Sequence, residues 1–269
     1  MADAENVRPG SLLRISPLFV LVAILLADAG RAADPDVWGH VLFGRAALAA
    51  GHFAWTDTYS YSAPGAAWIN HEMLSEAIFG AAYDVLGGFG LKLVKLICAA
   101  ATVVSIAASL SSTGASLEIQ RIVLAVSSLA LLPQMQYRPQ IFTYALLAAL
   151  LLLLARHTYR GAAPLWLFIP MFLGWSNLHG GFIAGVAALG TYFAVVAVRD
   201  YFSGRGMRAA ARLAGIWAAA TLATFLTPYS LLSWKAAVNA LSNPYTRALI
   251  VDWLPMPLLL VQQAGAMHS

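Results

Sequence analysis

Two short stretches concentrate side chains able to move protons, hold a cation or grip an anion. The first is Asp34-Pro35-Asp36-Val37-Trp38-Gly39-His40. Pro35 disfavours helix at Asp34, so Asp36 falls at or near the start of a helix running to about residue 50. Asp36 and His40 are four apart and share one face of that helix. A carboxylate and an imidazole so placed can share a proton, a metal ion or a substrate hydroxyl. Asp36 equally suits a helix cap, where a carboxylate satisfies free backbone N–H groups. His40 taken alone suits a structural hydrogen bond. Val37, Val41 and Leu48, flanked by Trp38 and Leu42, form an apolar stripe, which fits a helix lying in a membrane interface.

The second stretch is Trp68-Ile69-Asn70-His71-Glu72. Asn70 suits a cap for a helix over 71–86, which Gly87-Gly88 would end. His71 and Ser75 then share one face, and Glu72 and Glu76 the next. Such spacing suggests metal, but there is no His-Glu-x-x-His motif and no cysteine cluster, so a dedicated zinc site is not expected. A Gly-rich phosphate loop and a Gly-x-Ser-x-Gly elbow are also missing. Between the two stretches, Thr56-Asp57-Thr58-Tyr59-Ser60-Tyr61-Ser62 alternates in a strand-like or turn-like way before Ala63-Pro64-Gly65.

These groups need a frame, and the composition says which kind. The 269 residues are 60% hydrophobic and 10% charged, with mean hydropathy +0.73. Ordinary soluble domains carry about 25% charged residues, so the chain reads as a polytopic membrane protein. Its net charge of +4 does not point to nucleic acid, because the basic residues fall in short loops between apolar runs, the pattern that orients membrane helices. The single cysteine, Cys98, lies in an apolar run and excludes an intrachain disulfide.

Residues 1–16 form a polar N-terminus carrying Arg8 and Arg14. The apolar run at 17–27 is followed by Asp28 and Arg31. It suits either a cleaved signal peptide or a first transmembrane helix over 17–33 with Arg14 at its inner end. Both place Asp34 outside the cytoplasm. A long outer loop spans 34–88, and a helix bundle spans 89–228. Its apolar runs lie at 91–110, 119–132, 139–155, 163–175, 181–198 and 209–226. Residues 229–269 form an outer segment with a weak apolar stretch at 254–261, broken by Pro255 and Pro257. On a requirement of ~20 residues per span, this is an all-α integral membrane protein of about seven transmembrane helices.

With the N-terminus inside, the inner loops hold Arg121, Arg156, Arg160, Arg199, Arg205, Arg208 and Arg212, and the outer segments hold most of the Asp and Glu. The positive-inside rule is thereby satisfied. The same alternation gathers Gln136-Tyr137-Arg138-Pro139-Gln140, Trp175-Ser176-Asn177-Leu178-His179-Gly180-Gly181, Thr227-Pro228-Tyr229 and Asp252-Trp253 on the outer face with the long loop. Trp166, Trp217 and Trp234 suit interfacial anchors. Arg138, Asn177 and His179 are costly at membrane depth and point to function.

Taken together, the 34–40 and 68–72 stretches, Gly44, Gly51-His52-Phe53, Thr56-Asp57-Thr58-Tyr59-Ser60-Tyr61, Arg138-Pro139-Gln140, the Trp175–His179 cluster with Gly180-Gly181-Phe182, Thr227-Pro228-Tyr229 and Ile250-Val251-Asp252-Trp253-Leu254-Pro255 resemble a bacterial family of multi-pass membrane proteins. That family is described as glycosyltransferases of the C-type (GT-C) fold, and the likeness runs over about 17–256. It implies inverting transfer of a sugar from a polyprenyl-phosphate carrier to a glycan, lipid or protein acceptor, on the outer face of the bacterial cytoplasmic membrane. It also implies a general base on an Asp just after the first span, here Asp36 or Asp34, or a divalent cation (magnesium or manganese) held there in some members. Phosphate and substrate contacts would fall on Arg138, His71 and His179, with Glu72, Asn177 and His40 beside them.

The chain has fewer spans than many members, which fits a truncated member, a fragment or a subunit completed by a partner chain. Where several lipid-linked sugar transferases carry a lysine segment in the first loop, this chain has His71. A transporter or flippase of lipid-linked glycans and a non-catalytic scaffold are the competing expectations. The uncharged centres of 139–155, 181–198 and 209–226 speak against a midplane ion path.

Overall fold

The computed structural model describes residues 33–161, 163–204 and 207–244. The first expected span up to residue 32, Asp252-Trp253 and the 254–261 stretch lie outside them. Regular structure among the described residues is helical. In chain order it comprises α1 (Asp36–Ala50), α2 (Met73–Leu86), α3 (Gly88–Thr113), α4 (Leu117–Leu131), α5 (Gln140–Arg160), α6 (Phe168–Leu178), α7 (Phe182–Phe202), α8 (Met207–Ala223) and α9 (Leu231–Ser242). Short 3-10 turns at Leu132–Gln134 and Leu165–Leu167 extend α4 and precede α6.

Among the described residues, four helices are long and apolar enough to cross a membrane: Gly88–Thr113, Leu117–Gln134, Gln140–Arg160 and Phe182–Phe202. The expected spans at 163–175 and 209–226 form shorter helices. Leu165–Leu178 is apolar but short, because Pro164 and Pro170 bracket a 3-10 start. α8 has 17 residues and gives way at Thr224 to turns leading to Pro228. Exposed apolar side chains on the long helices, such as Ile122, Val126 and Leu129 on α4, suit contact with lipid tails.

Two cores share α5 as a common wall. Leu150, Leu153 and Leu154 of α5 pack with Phe168, Phe172 and Trp175 of α6 and with Phe182, Leu189 and Phe193 of α7. Ile141, the second residue of α5, packs with Val37 and Val41 of α1, Phe79 of α2, and Cys98, Ala99 and Val103 of α3. The start of α5 therefore belongs to the core that holds the first-loop helices.

The loop helices are set by two local devices. Gly87 separates α2 from α3 with φ 59° and ψ −145°, a conformation that a Cβ would strain. α1 then crosses α2 at Gly44 and Gly80. A Cβ on Gly44 would stand 1.8 Å from the Glu76 carbonyl oxygen, and one on Gly80 2.6 Å from the Arg45 nitrogen. Hydrogen at both positions lets the helices touch backbone to backbone. The buried stripe of α1 is consequently Val37, Val41 and Gly44, whereas Leu48, expected in that stripe, is exposed with Trp38 and Leu42.

Two further expectations shift. α2 starts at Met73 rather than His71, because the Asn70 side chain accepts the Glu72 N–H (3.0 Å) and holds 70–72 as a turn. The 56–62 stretch is bent rather than strand-like. Asp57 Oδ1 accepts the Tyr59 and Ser60 N–H groups, and a single antiparallel bridge joins Thr56 to Ala67.

Candidate functional site

Loop ends from distant parts of the chain converge at one end of the bundle. Tyr229, after α8, donates its hydroxyl to the Ala54 carbonyl (2.7 Å) and packs its ring 4.6 Å from Trp55. Ser75 Oγ lies 2.7 Å from the Glu72 carbonyl and 2.8 Å from that of Leu178, fastening the start of α2 to the end of α6. The Lys95 ammonium sits 4.6 Å over the Tyr137 ring, beside Arg138. Between these ties lies a cavity of about 460 Å³, whose polar walls are Asp36, His40, Glu72, Arg138, Gln140 and His179.

One wall is an aspartate–arginine fork. Arg138 Nε lies 2.7 Å from Asp34 Oδ2, and its Nη2 lies 3.0 Å from Asp36 Oδ2. Asp34 Oδ1 also accepts the Asp36 N–H (2.9 Å). Pro35 occupies the cap position of α1 and Asp36 its first turn, so the local backbone contact belongs to Asp34. The Asp34 side chain is only 9% exposed, while that of Asp36 is 59% exposed and lines the cavity. Arg138 is held by the α5 start, where Pro139 initiates the helix.

The rest of the site is built from glutamates and imidazoles. His40 Nδ1 lies 3.2 Å from Glu76 Oε1. The Asn70 amide donates to Glu76 Oε2, and its carbonyl holds the Glu72 N–H, so one side chain positions both glutamates. Glu72 Oε1 stands 3.5 Å from His179 Nε2 and 3.8 Å from His71 Nε2. The tautomer of His179 follows from its partners. Trp175 Nε1–H donates to Thr143 Oγ1 (2.9 Å), leaving the threonine proton for His179 Nδ1 (2.9 Å). The same Nδ1 accepts the Gly181 N–H (3.0 Å), so the ring proton is on Nε2, facing Glu72.

Burial and neighbours shift these groups apart. Burial, then the charges of His71 and His40, push His179 down to about 4, so it is a neutral N–H donor near pH 7. Burial raises Glu72 above the usual carboxylate value, against the pull of His71 and His40. Burial opposes protonation of His40, but the Glu76 hydrogen bond and the charges of Glu72, Glu76 and Asp36 outweigh it, and its pKa is raised.

Of the sequence candidates, Asp36, His40, Glu72, Arg138 and His179 meet at the cavity, with Asp34 behind Arg138. His71 lies outside the lining and packs against Gly180. Asn177 turns away, its amide donating to the Leu173 (2.8 Å) and Leu226 (3.3 Å) carbonyls. Glu76, Asn70 and Thr143 complete the site although sequence reasoning gave them no site role. The i, i+4 spacing of Glu72 and Glu76 and the i, i+3 spacing of Gln140 and Thr143 were the available signals.

A divalent cation at Asp34 and Asp36, as the resemblance implies, does not fit this arrangement, because the Arg138 guanidinium already occupies an oxygen of each. A smaller cavity of about 130 Å³ adjoins, walled by Phe43, Tyr59 and Trp68, whose rings lie 4.7–5.7 Å apart, and reaching Glu76. No family model, curated protein or solved structure matches the chain.

Proposed function

We propose that the protein is a membrane glycosyltransferase of the GT-C type, with about seven spans in all. In this account it works in the bacterial cytoplasmic membrane with its N-terminus inside. Its 34–88 loop faces outward and receives a polyprenyl-phosphate-linked sugar. One observation carries the proposal: a cavity lined by carboxylate, guanidinium and imidazole at one end of a set of apolar, membrane-length helices. A substrate with a lipid tail and a charged phosphate needs that pairing of an oily flank with a polar chamber. The location of Arg156, Arg160 and Arg199 at the far ends of α5 and α7 supports the orientation.

The reaction is a single displacement. The acceptor hydroxyl oxygen attacks the anomeric carbon, its proton passes to the Asp36 carboxylate, and the carbon–oxygen bond to phosphate breaks with its electron pair leaving on the phosphate. Inversion at the anomeric carbon follows from one attack. Asp36 Oδ2 is engaged by Arg138, leaving Oδ1 to accept the proton. Arg138 supplies N–H donors and positive charge toward the leaving phosphate, and neutral His179 supplies a further donor position. Asp34 holds the guanidinium in place.

Asp36→Asn in proteoliposomes tests the proposal, because the amide cannot take the proton. Transfer of labelled sugar from a synthetic polyprenyl-phosphate donor should fall by at least about a hundredfold, with membrane insertion unchanged. Full transfer by the variant would contradict the role of Asp36. Donor moved across the bilayer without any sugar transfer would favour a flippase.

A further inference from the structure

We infer that His40, Glu72 and Glu76 form a binding site for one divalent transition-metal cation, zinc or manganese, opening onto the cavity. Their ligand atoms lie within 4.8 Å of one another. The His40–Glu76 distance of 3.2 Å matches the edge of a tetrahedron around an ion with ~2.0 Å bonds, which is ~3.3 Å. Glu72 has room to complete the set, since both imidazoles facing it stand at or beyond hydrogen-bond distance.

The surroundings are those of a ligand set rather than of a charge pair. Among the described residues, the ion partners of Glu72 and Glu76 are imidazoles alone, so two carboxylates face each other without lysine or arginine. Asn70 holds the second oxygen of Glu76 and the backbone of Glu72, the kind of outer contact that aims a metal ligand. One histidine with two carboxylates is a nitrogen–oxygen donor set suited to zinc or manganese. His40 and Glu72 line the larger cavity, so a fourth position would face it and admit water or a substrate oxygen. If the transfer reaction holds, that position and Arg138 would grip the donor phosphate from two sides; this last role alone rests on the proposed function.

The test uses metal without substrate, so its failure and the failure of the transfer proposal are separate results. The protein, purified in detergent and stripped with a chelator, is dialysed against micromolar Zn²⁺ or Mn²⁺, and bound metal per chain is counted by mass spectrometry. About one ion per chain is expected, with affinity at least ~10-fold lower in His40→Ala and in Glu72→Gln. Zn²⁺ or Mn²⁺ should also raise the unfolding temperature of the unaltered chain and not that of Glu72→Gln. Asp84→Asn, at the exposed end of α2, should bind as the unaltered chain does. Glu72→Gln preserves shape at a partly exposed position, so it decides the matter if His40→Ala fails to fold. An unaltered chain without stoichiometric metal, or Glu72→Gln binding as tightly as it does, overturns the site.

Discussion

The site has two carboxylate pairs, each with one member lining the cavity, balanced in different ways. Asp34 and Asp36 share a guanidinium, a cation that never leaves, and their geometry is a closed fork. Glu72 and Glu76 face imidazoles, whose protonation can change, and a neutral amide. Equal numbers of carboxylates therefore do different work. The fixed fork presents the exposed Asp36 carboxylate beside the Arg138 guanidinium, while the glutamates are the pair proposed to take up a cation.

The comparison breaks most sharply at Arg138. Arg138→Ala leaves the mostly buried Asp34 carboxylate without its cation, so a loss of about 3 kcal/mol is expected in thermal or denaturant unfolding in detergent, together with loss of transfer. The glutamate wall depends instead on the helix crossing. Gly44→Ala forces α1 off the Glu76 carbonyl and should cost about 2 kcal/mol. Gly39→Ala should be close to neutral by the same measurement, since its Cβ would meet only Phe43 ring atoms at 3.6 Å. Asn70→Ala frees both glutamates. It should cost about 1 kcal/mol and weaken metal binding roughly 10-fold or more, read by titration with Zn²⁺. Asn177→Ala, whose amide bonds the Leu173 and Leu226 carbonyls, should cost about 0.5 kcal/mol and leave metal content unchanged.

The parts of this arrangement that the sequence made legible are those set by period and alternation. Apolar runs marked α3, α4, α5 and α7 within a few residues. Alternation of those runs correctly brought Arg138, His179 and Tyr229 to the end that holds the first loop. Contacts set by register were not legible. Gly44 and Gly80 are thirty-six positions apart, and only their hydrogen-sized side chains let α1 settle so that His40 meets Glu76. No contiguous motif announces a ligand set assembled across such a crossing, so the absence of His-Glu-x-x-His said little about it. Asn177 and His179 looked alike in a polar cluster, yet helix ending at Leu178 sends one amide to backbone and the other ring to the cavity. The sequence favours Asp36 over Asp34 as the base, but nothing in it marks Asp34 as the more buried partner of Arg138.

The most direct measurement is the metal content of two variants prepared side by side, Asp36→Asn and Glu76→Gln, after loading with Zn²⁺. About one ion per chain is expected for Asp36→Asn, as for the unaltered protein, and a large loss for Glu76→Gln. Metal retained by Glu76→Gln and lost from Asp36→Asn would contradict the division of labour between the two walls.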